Sequence, residues 1–264
     1  MNSLELGILF PAFLAGVLVL ATHVPLGQQV LNRGIVFIDL AIAQVAGLGV
    51  TAASTFGFEA EGWRVQAAAV IAALLGSLLL TWTEKMWPEV QEALIGVLFA
   101  VAASAELLLL ANNPQGGEHL KDLLVGQILW VSIKGLIPIA ILYAALLVAW
   151  FGFRQRLGQA GFYVLFALVV TQSVQLVGIY LVFASLIVPA LAAKRFAEPA
   201  RLWIGYAVGL IGYVLGLVCS SLFDLPTGAV IVVTLLVTFI GAVIVSLMVP
   251  ERLRAPAGAV AHAH

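Results

Sequence analysis

Apolar runs long enough to cross a lipid bilayer follow one another from Ile8 to Val249, broken only by short polar loops. About 20 consecutive apolar residues suffice for a helical crossing. Within lipid the backbone must satisfy its own polar groups, so runs of this length fold as helices. Only 9% of the residues carry charge and 63% are hydrophobic, a surface that water could not solvate as a soluble domain. The fold class read from this is all-α: a polytopic helical bundle in the membrane. Polar and ionisable residues inside the runs become the informative ones, because lipid penalises them.

The first spans are read at about residues 7–30, 35–56, 64–83, 90–111 and 127–151. A 33-residue apolar stretch from Phe162 to Lys194 follows, then spans at about 202–222 and 226–249. The long stretch carries positive charge at both ends: Arg154 and Arg156 before it, Lys194, Arg195 and Arg201 after it. Positive loops stay in the cytoplasm. The stretch therefore goes out and returns, turning near Thr171–Gln175 and Gly178. That gives nine crossings, or eight if part of 162–194 is re-entrant, with the N-terminus outside and the C-terminus cytoplasmic. Inside loops then hold Arg33, Lys85, Arg154, Arg156, Lys194, Arg195, Arg201, Arg252 and Arg254, and outside loops only Arg64 and Lys121, an asymmetry that favours this orientation. Lys134 snorkels from the fifth span. Residues 1–250 are expected to form a single transmembrane domain, and 251–264 a short disordered cytoplasmic tail.

The N-terminus has no basic segment before its first apolar run and reads as a span rather than a cleaved signal. A net charge of −1 and the lack of a basic arm point away from nucleic acid. The single cysteine, Cys219, forms no internal disulfide. No phosphate-binding loop of the Gly-x-x-x-x-Gly-Lys-Ser/Thr type and no nucleophile–base pair is present, so no catalytic residue is assigned. The glycines of the eighth span, Gly205, Gly209, Gly212 and Gly216, permit close helix approach. Internal packing is their expected use rather than a dimer face.

His23 lies in the first span, Asp39 and Gln44 in the second, and Glu106 in the fourth. Ionisable groups at such depth face a partner or a cavity. Each also has a structural reading: His23 as a packing histidine, Asp39 as a helix-end carboxylate bonded to Arg33, Glu106 as a group that snorkels or pairs with Lys134. An outer loop carries Glu118, His119 and Asp122, and imidazole with carboxylate suits zinc, manganese or iron. A solvated loop is the alternative there. His262 and His264 in the tail bind metal weakly at best.

Three segments resemble the permeases of zinc/manganese/iron-type ABC importers. Pro25-Leu26-Gly27 and the run from Leu31 to Gly49 are similar to that family's P-L-G … R-R-x-x-F-x-G-D-A-L-S-H-x-x-L-P-G. Asp122 to Ser132 is similar to L-L-F-G-D-I-L-A-V-S, and Val174 to Ala190 to L-Q-x-V-G-x-L-L-V-x-A-L-L-I-I-P-A. The resemblance covers about residues 8–249. It implies a permease subunit in the bacterial inner membrane, working as a homodimer or heterodimer. Its partners would be a cytoplasmic ABC ATPase subunit and a periplasmic metal-binding protein. No cofactor is bound permanently; the metal is cargo, zinc first, then manganese or iron. His23, Asp39 and Gln44 would be transient ligands along the path, and Glu118, His119 and Asp122 a cluster at its outer mouth. The chain would not itself be an enzyme.

Two departures stand out. Aligned without a gap, Gln44 replaces the family's histidine, Leu40 its aspartate, and Asp39 its glycine, so the carboxylate is shifted by one residue. The cytoplasmic segment 152–161, with Arg154-Gln155-Arg156-Leu157-Gly158, is shorter than the family's ATPase-contacting loop. Two other functions fit the same residues. One is an ion-gradient-driven carrier with Asp39, Glu106 and His23 as a proton relay, which inverted repeats would betray. The other is an uncoupled scaffold that holds no ATPase.

Overall fold

The computed structural model describes residues 3–58, 62–110 and 123–248. Among them the regular structure is helical: α1 (Ser3–Arg33), α2 (Ile38–Thr55), α3 (Trp63–Met86), α4 (Gln91–Leu110), α5 (Ile133–Val177), α6 (Ile179–Ala193), α7 (Glu198–Phe223) and α8 (Thr227–Met248). Single 3₁₀ turns at Pro88–Val90 and Ile128–Trp130 lead into α4 and precede α5. Among the described residues eight segments are long and apolar enough to cross a membrane, two of them arms of α5, Ile133–Phe153 and Arg156–Val177. This is the polytopic helical bundle that the apolar runs dictate.

The structure alters the expected boundaries in three places. The fifth span begins at Ile133 rather than near 127. The segment 152–161 is not an open loop: helical structure runs through it, interrupted by Gly158 with φ 57° and ψ −159°. The 33-residue stretch does break in two, but the helix continues through Thr171–Gln175 to Val177, and Gly178 makes the break. The second piece, α6, has 15 residues. At 1.5 Å per residue it is about 22 Å long, less than the roughly 30 Å hydrocarbon core.

The chain forms two compact units. The first comprises residues 1–34, 127–136 and 180–264, and so contains α1, α6, α7 and α8. In it the glycine stripe of α7 packs internally. A side chain at Gly205 would meet Val24 of α1, at Gly209 Leu20, at Gly212 Leu235 of α8, and at Gly216 Ile231. The helix α1 keeps Pro25 in its interior. Proline has no N–H to offer the carbonyl four residues back. That carbonyl belongs to Ala21, and the Tyr206 hydroxyl of α7 donates to it at 3.1 Å. Two residues on, Gly27 lies against the Leu186 carbonyl of α6 where no side chain fits.

The second unit comprises residues 35–126 and 137–179 and contains α2, α3, α4 and most of α5. Small residues bring α2 and α3 together, with Gly49 against Ala68 and Ala72, and Gly76 against Val45. Gln91 ties the α3–α4 connection: Thr83 donates to its Oε1 at 2.9 Å, and its Nε2 donates to the Leu80 carbonyl at 3.0 Å and to Tyr163 at 3.3 Å. Gly126 and Gly178 meet backbone to backbone, at φ 71° and 79°. A Cβ on Gly126 would strike the Val177 carbonyl and the Gly178 nitrogen.

The chain passes between the units after Gly34, Gly126, Leu136 and Ile179. Gly34 (φ 72°), Gly126 and Gly178 stand at or one residue before three of these passages. Pro138, inside α5, follows the passage after Leu136.

Gly178→Ala forces a side chain into a left-handed backbone, a strain of about 1–2 kcal/mol before the clash with Gly126 is added. The expected result is a clear fall in the detergent melting temperature, while Gly96→Ala, in open space on α4, leaves it unchanged. Tyr206→Phe exposes the orphaned Ala21 carbonyl and is expected to destabilise by about 1 kcal/mol in the same melt.

Candidate functional site

Polar side chains inside these spans fall into two kinds, those whose hydrogen bonds are made and those whose are not. Glu106 is the clearest of the first kind. It is buried on α4 and faces α2 of the same unit. Gln44 Nε2 donates to its Oε2, and the Thr51 hydroxyl donates to its Oε1 at 2.8 Å. Gly47 lies between them, and a Cβ there would sit 3.5 Å from Glu106 Oε1. Positions 44, 47 and 51 recur at helical spacing, so they form one stripe along α2. The stripe is a seat for one carboxylate: a donor at each end and, between them, a glycine that leaves room.

Asp39 is of the second kind. It stands in the first turn of α2 with 1% of its surface exposed. Neither carboxylate oxygen has a hydrogen-bond partner. Among the described residues no other side chain has both carboxylate oxygens buried and unbonded. Close by is Glu92, in the first turn of α4. Its Oε1 accepts the Phe37 N–H at 3.2 Å, and its Oε2 is buried without a partner. The bond from Phe37 brings the starting ends of α2 and α4 to one side of the unit.

His23 belongs to the first unit and is wholly buried in α1. Its Nδ1 lies 2.9 Å from the Val19 carbonyl, which can only accept, so Nδ1 carries the proton. Thr22 Oγ1 is 3.1 Å from the same nitrogen. The tautomer this sets leaves Nε2 with a bare lone pair, and Nε2 has no partner. Metal-binding histidines are held in the same way, one nitrogen donating to a carbonyl and the other left for the ion.

Of the residues singled out from sequence, Gln44 and Glu106 come together, Asp39 takes a separate position in the same unit, and His23 lies in the other unit. Glu118, His119 and Asp122 lie outside the described residues, as does the tail 251–264. Among the described residues no three His, Cys, Asp or Glu side chains cluster as a metal cage. Sequence reasoning did not find Thr51 or Glu92. Thr51 is signalled by its helical spacing from Gln44 and Gly47. Glu92 looks like an ordinary acid complementing a helix N-terminus, and only the fold shows its free oxygen.

Comparisons with known proteins align with this architecture. A family model described as the ABC 3 transport family matches residues 5–162 and 151–246. The chain is similar to the high-affinity zinc uptake system membrane protein ZnuB of Haemophilus influenzae, 25% identical over 271 residues that cover 93% of this chain and 99% of that one. It is similar to the manganese transport system membrane protein MntC of Halalkalibacterium halodurans, 25% identical over 228 residues, 78% of this chain and 76% of that one. Its fold is similar to that of PsaBC from Streptococcus pneumoniae in complex with Fab, with a TM-score of 0.70 and 22% identity, over 93% of this chain and 91% of that one.

Thr51→Val removes one of the two donors on Glu106. Interhelical side-chain hydrogen bonds in membranes contribute about 0.6 kcal/mol on average and rarely exceed about 1.7. A loss in that range is expected in a detergent or bicelle unfolding titration. Combined with Gln44→Leu, the loss is expected to exceed the sum of the singles, because the second change strips the last of these two donors from a buried carboxylate.

Proposed function

Because the chain belongs to the ABC 3 transport family, we propose that it is the membrane permease subunit of an importer that carries a divalent transition metal across the bacterial inner membrane. Zinc, manganese and iron are the cargo class. ATP is hydrolysed by a separate cytoplasmic ATPase subunit, and a periplasmic binding protein delivers the metal. Two permease copies enclose the path, the N-terminus lies outside, and residues 1–250 act as one permease domain. The names of the zinc and manganese relatives support the cargo class.

The observation that carries this reading is the pair of buried groups with nothing bonded to them, His23 Nε2 and the Asp39 carboxylate. A group buried at membrane depth without a partner is costly. Each offers a lone pair to a passing cation. Gln44 contributes its amide on another part of α2, so the ligands act as successive stations rather than one cage. Stations that are few and weak suit conduction, which needs release as much as capture. Glu118, His119 and Asp122 form the outer mouth. The ATPase meets either the short segment 152–161 or the loop from Lys194 to Arg201.

A mild-detergent pull-down of the tagged chain from its native membranes tests the coupling. A near-stoichiometric ATPase subunit is expected, and its absence across several gentle detergents would overturn the importer reading in favour of a carrier or scaffold. His23→Ala combined with Asp39→Ala is expected to abolish metal-dependent growth while membrane insertion stays normal. Unimpaired uptake in that double variant would remove both residues from the path.

A further inference from the structure

Two buried polar side chains of the second unit show what a satisfied group looks like. Gln91, one residue before Glu92, makes three hydrogen bonds. Glu106 has a donor on each oxygen. Against that background Asp39 and Glu92 stand out, because three of their four carboxylate oxygens are buried and accept nothing. The two side chains stand at the same end of the unit, because the Phe37 N–H that Glu92 accepts at 3.2 Å lies two residues before Asp39. Glu92 is held in place by the Phe37 N–H through the oxygen that is bonded, leaving the other free.

A buried carboxylate without a partner takes up either a proton or a cation. A proton neutralises one carboxylate at a time, and a protonated Asp39 becomes an O–H donor that needs an acceptor of its own. A divalent cation held between the two would neutralise both charges. With carboxylate oxygens alone, the donor set suits hard ions such as manganese and magnesium, whereas zinc is drawn to imidazole and thiolate. Few protein ligands, with water completing the sphere, are usual for such ions.

We propose that Asp39 and Glu92 form a two-carboxylate station for a hard divalent cation, manganese(II) among the transition metals, at the end of the second unit where α2 and α4 begin. The assignment of manganese as cargo rests on the permease reading; the station itself does not. In the proposed orientation that end faces the cytoplasm, so the station is the last ligand before release. Glu92 is a ligand that neither the apolar pattern nor the motif signals.

The test is manganese(II) binding to the full-length chain in lipid nanodiscs, followed by the electron paramagnetic resonance of free manganese, with zinc(II) and magnesium(II) as competitors. Glu92→Gln and Asp39→Asn keep size and shape. Each variant is expected to weaken manganese binding at least tenfold, with zinc ahead of manganese by no more than tenfold at the site the variants remove. Glu92 is only partly covered, so Glu92→Gln remains informative if Asp39→Asn fails to fold. Manganese affinity unchanged in Glu92→Gln, or zinc held more than tenfold tighter at the variant-sensitive site, would overturn the proposal. Loss of binding in the variants without any metal uptake by the assembled system would instead defeat the permease reading and leave the station standing.

Discussion

The structure depends on one constraint: a backbone N–H or C=O inside lipid must find its partner within the protein. Pro25 and Gly178 disturb helical backbone within segments that resemble the permease family, and packing compensates at both. Pro25 strips the Ala21 carbonyl of its partner, and Tyr206 replaces it. At Gly178 the helix turns, yet its N–H still donates to the Val174 carbonyl at 2.8 Å. Gly126 then lies so close that no side chain fits at either position. The P-L-G and L-V-G segments are thus places where irregular backbone is made tolerable by a neighbour, and this explains their composition without any appeal to chemistry.

The same rule sorts the polar side chains. Gln91, Glu106, Thr51 and Tyr143 make bonds that hold helices together, Tyr143 through the Ser173 hydroxyl of the other arm of α5. Their energies are modest individually. What they secure is register, because a helix that rotates or slides strands a buried polar group. His23 Nε2 and the Asp39 carboxylate contribute nothing of that kind. Their burial is a cost without a structural return, and on the proposed function the return is a site for the cargo.

Much of the fold was legible in the sequence because span length and apolarity are additive properties of short windows. The break inside 162–194 and the internal packing of the α7 glycines followed from composition at single positions. Helical structure through 152–161 was not legible, since Arg154-Gln155-Arg156 reads as a loop by charge, while the helical backbone is interrupted only at Gly158. The site was legible only residue by residue. Asp39, Gln44, Glu106 and His23 announce themselves as polar groups in lipid. That Glu106 belongs with Gln44 and Thr51 is decided by how α4 lies on α2, which no local pattern encodes.

The one-residue shift of the carboxylate on α2 has a geometric consequence. Positions 40 and 44 are one turn apart, about 40° around the helix, so the family's aspartate and histidine share a face. Positions 39 and 44 are separated by about 140°. Asp39 and Gln44 therefore point to different surroundings: Gln44 donates to Glu106 of α4, and Asp39 stands at the end of the unit where Glu92 of α4 accepts the Phe37 N–H. Those two acids are fourteen residues apart, about 40° around α4 and roughly 21 Å along it. One face of α4 thus serves both ends of α2. Where the family pattern concentrates acid and imidazole on one face of one helix, this chain has its acids and amide on two helices and at two levels. On the proposed function the carboxylates of Asp39 and Glu92 and the Gln44 amide are the donors offered to the cation, Glu106 stays in its seat between Gln44 and Thr51, and α2 offers no imidazole. That donor set is the chemical ground for placing the proposed cargo toward the harder end of the divalent series.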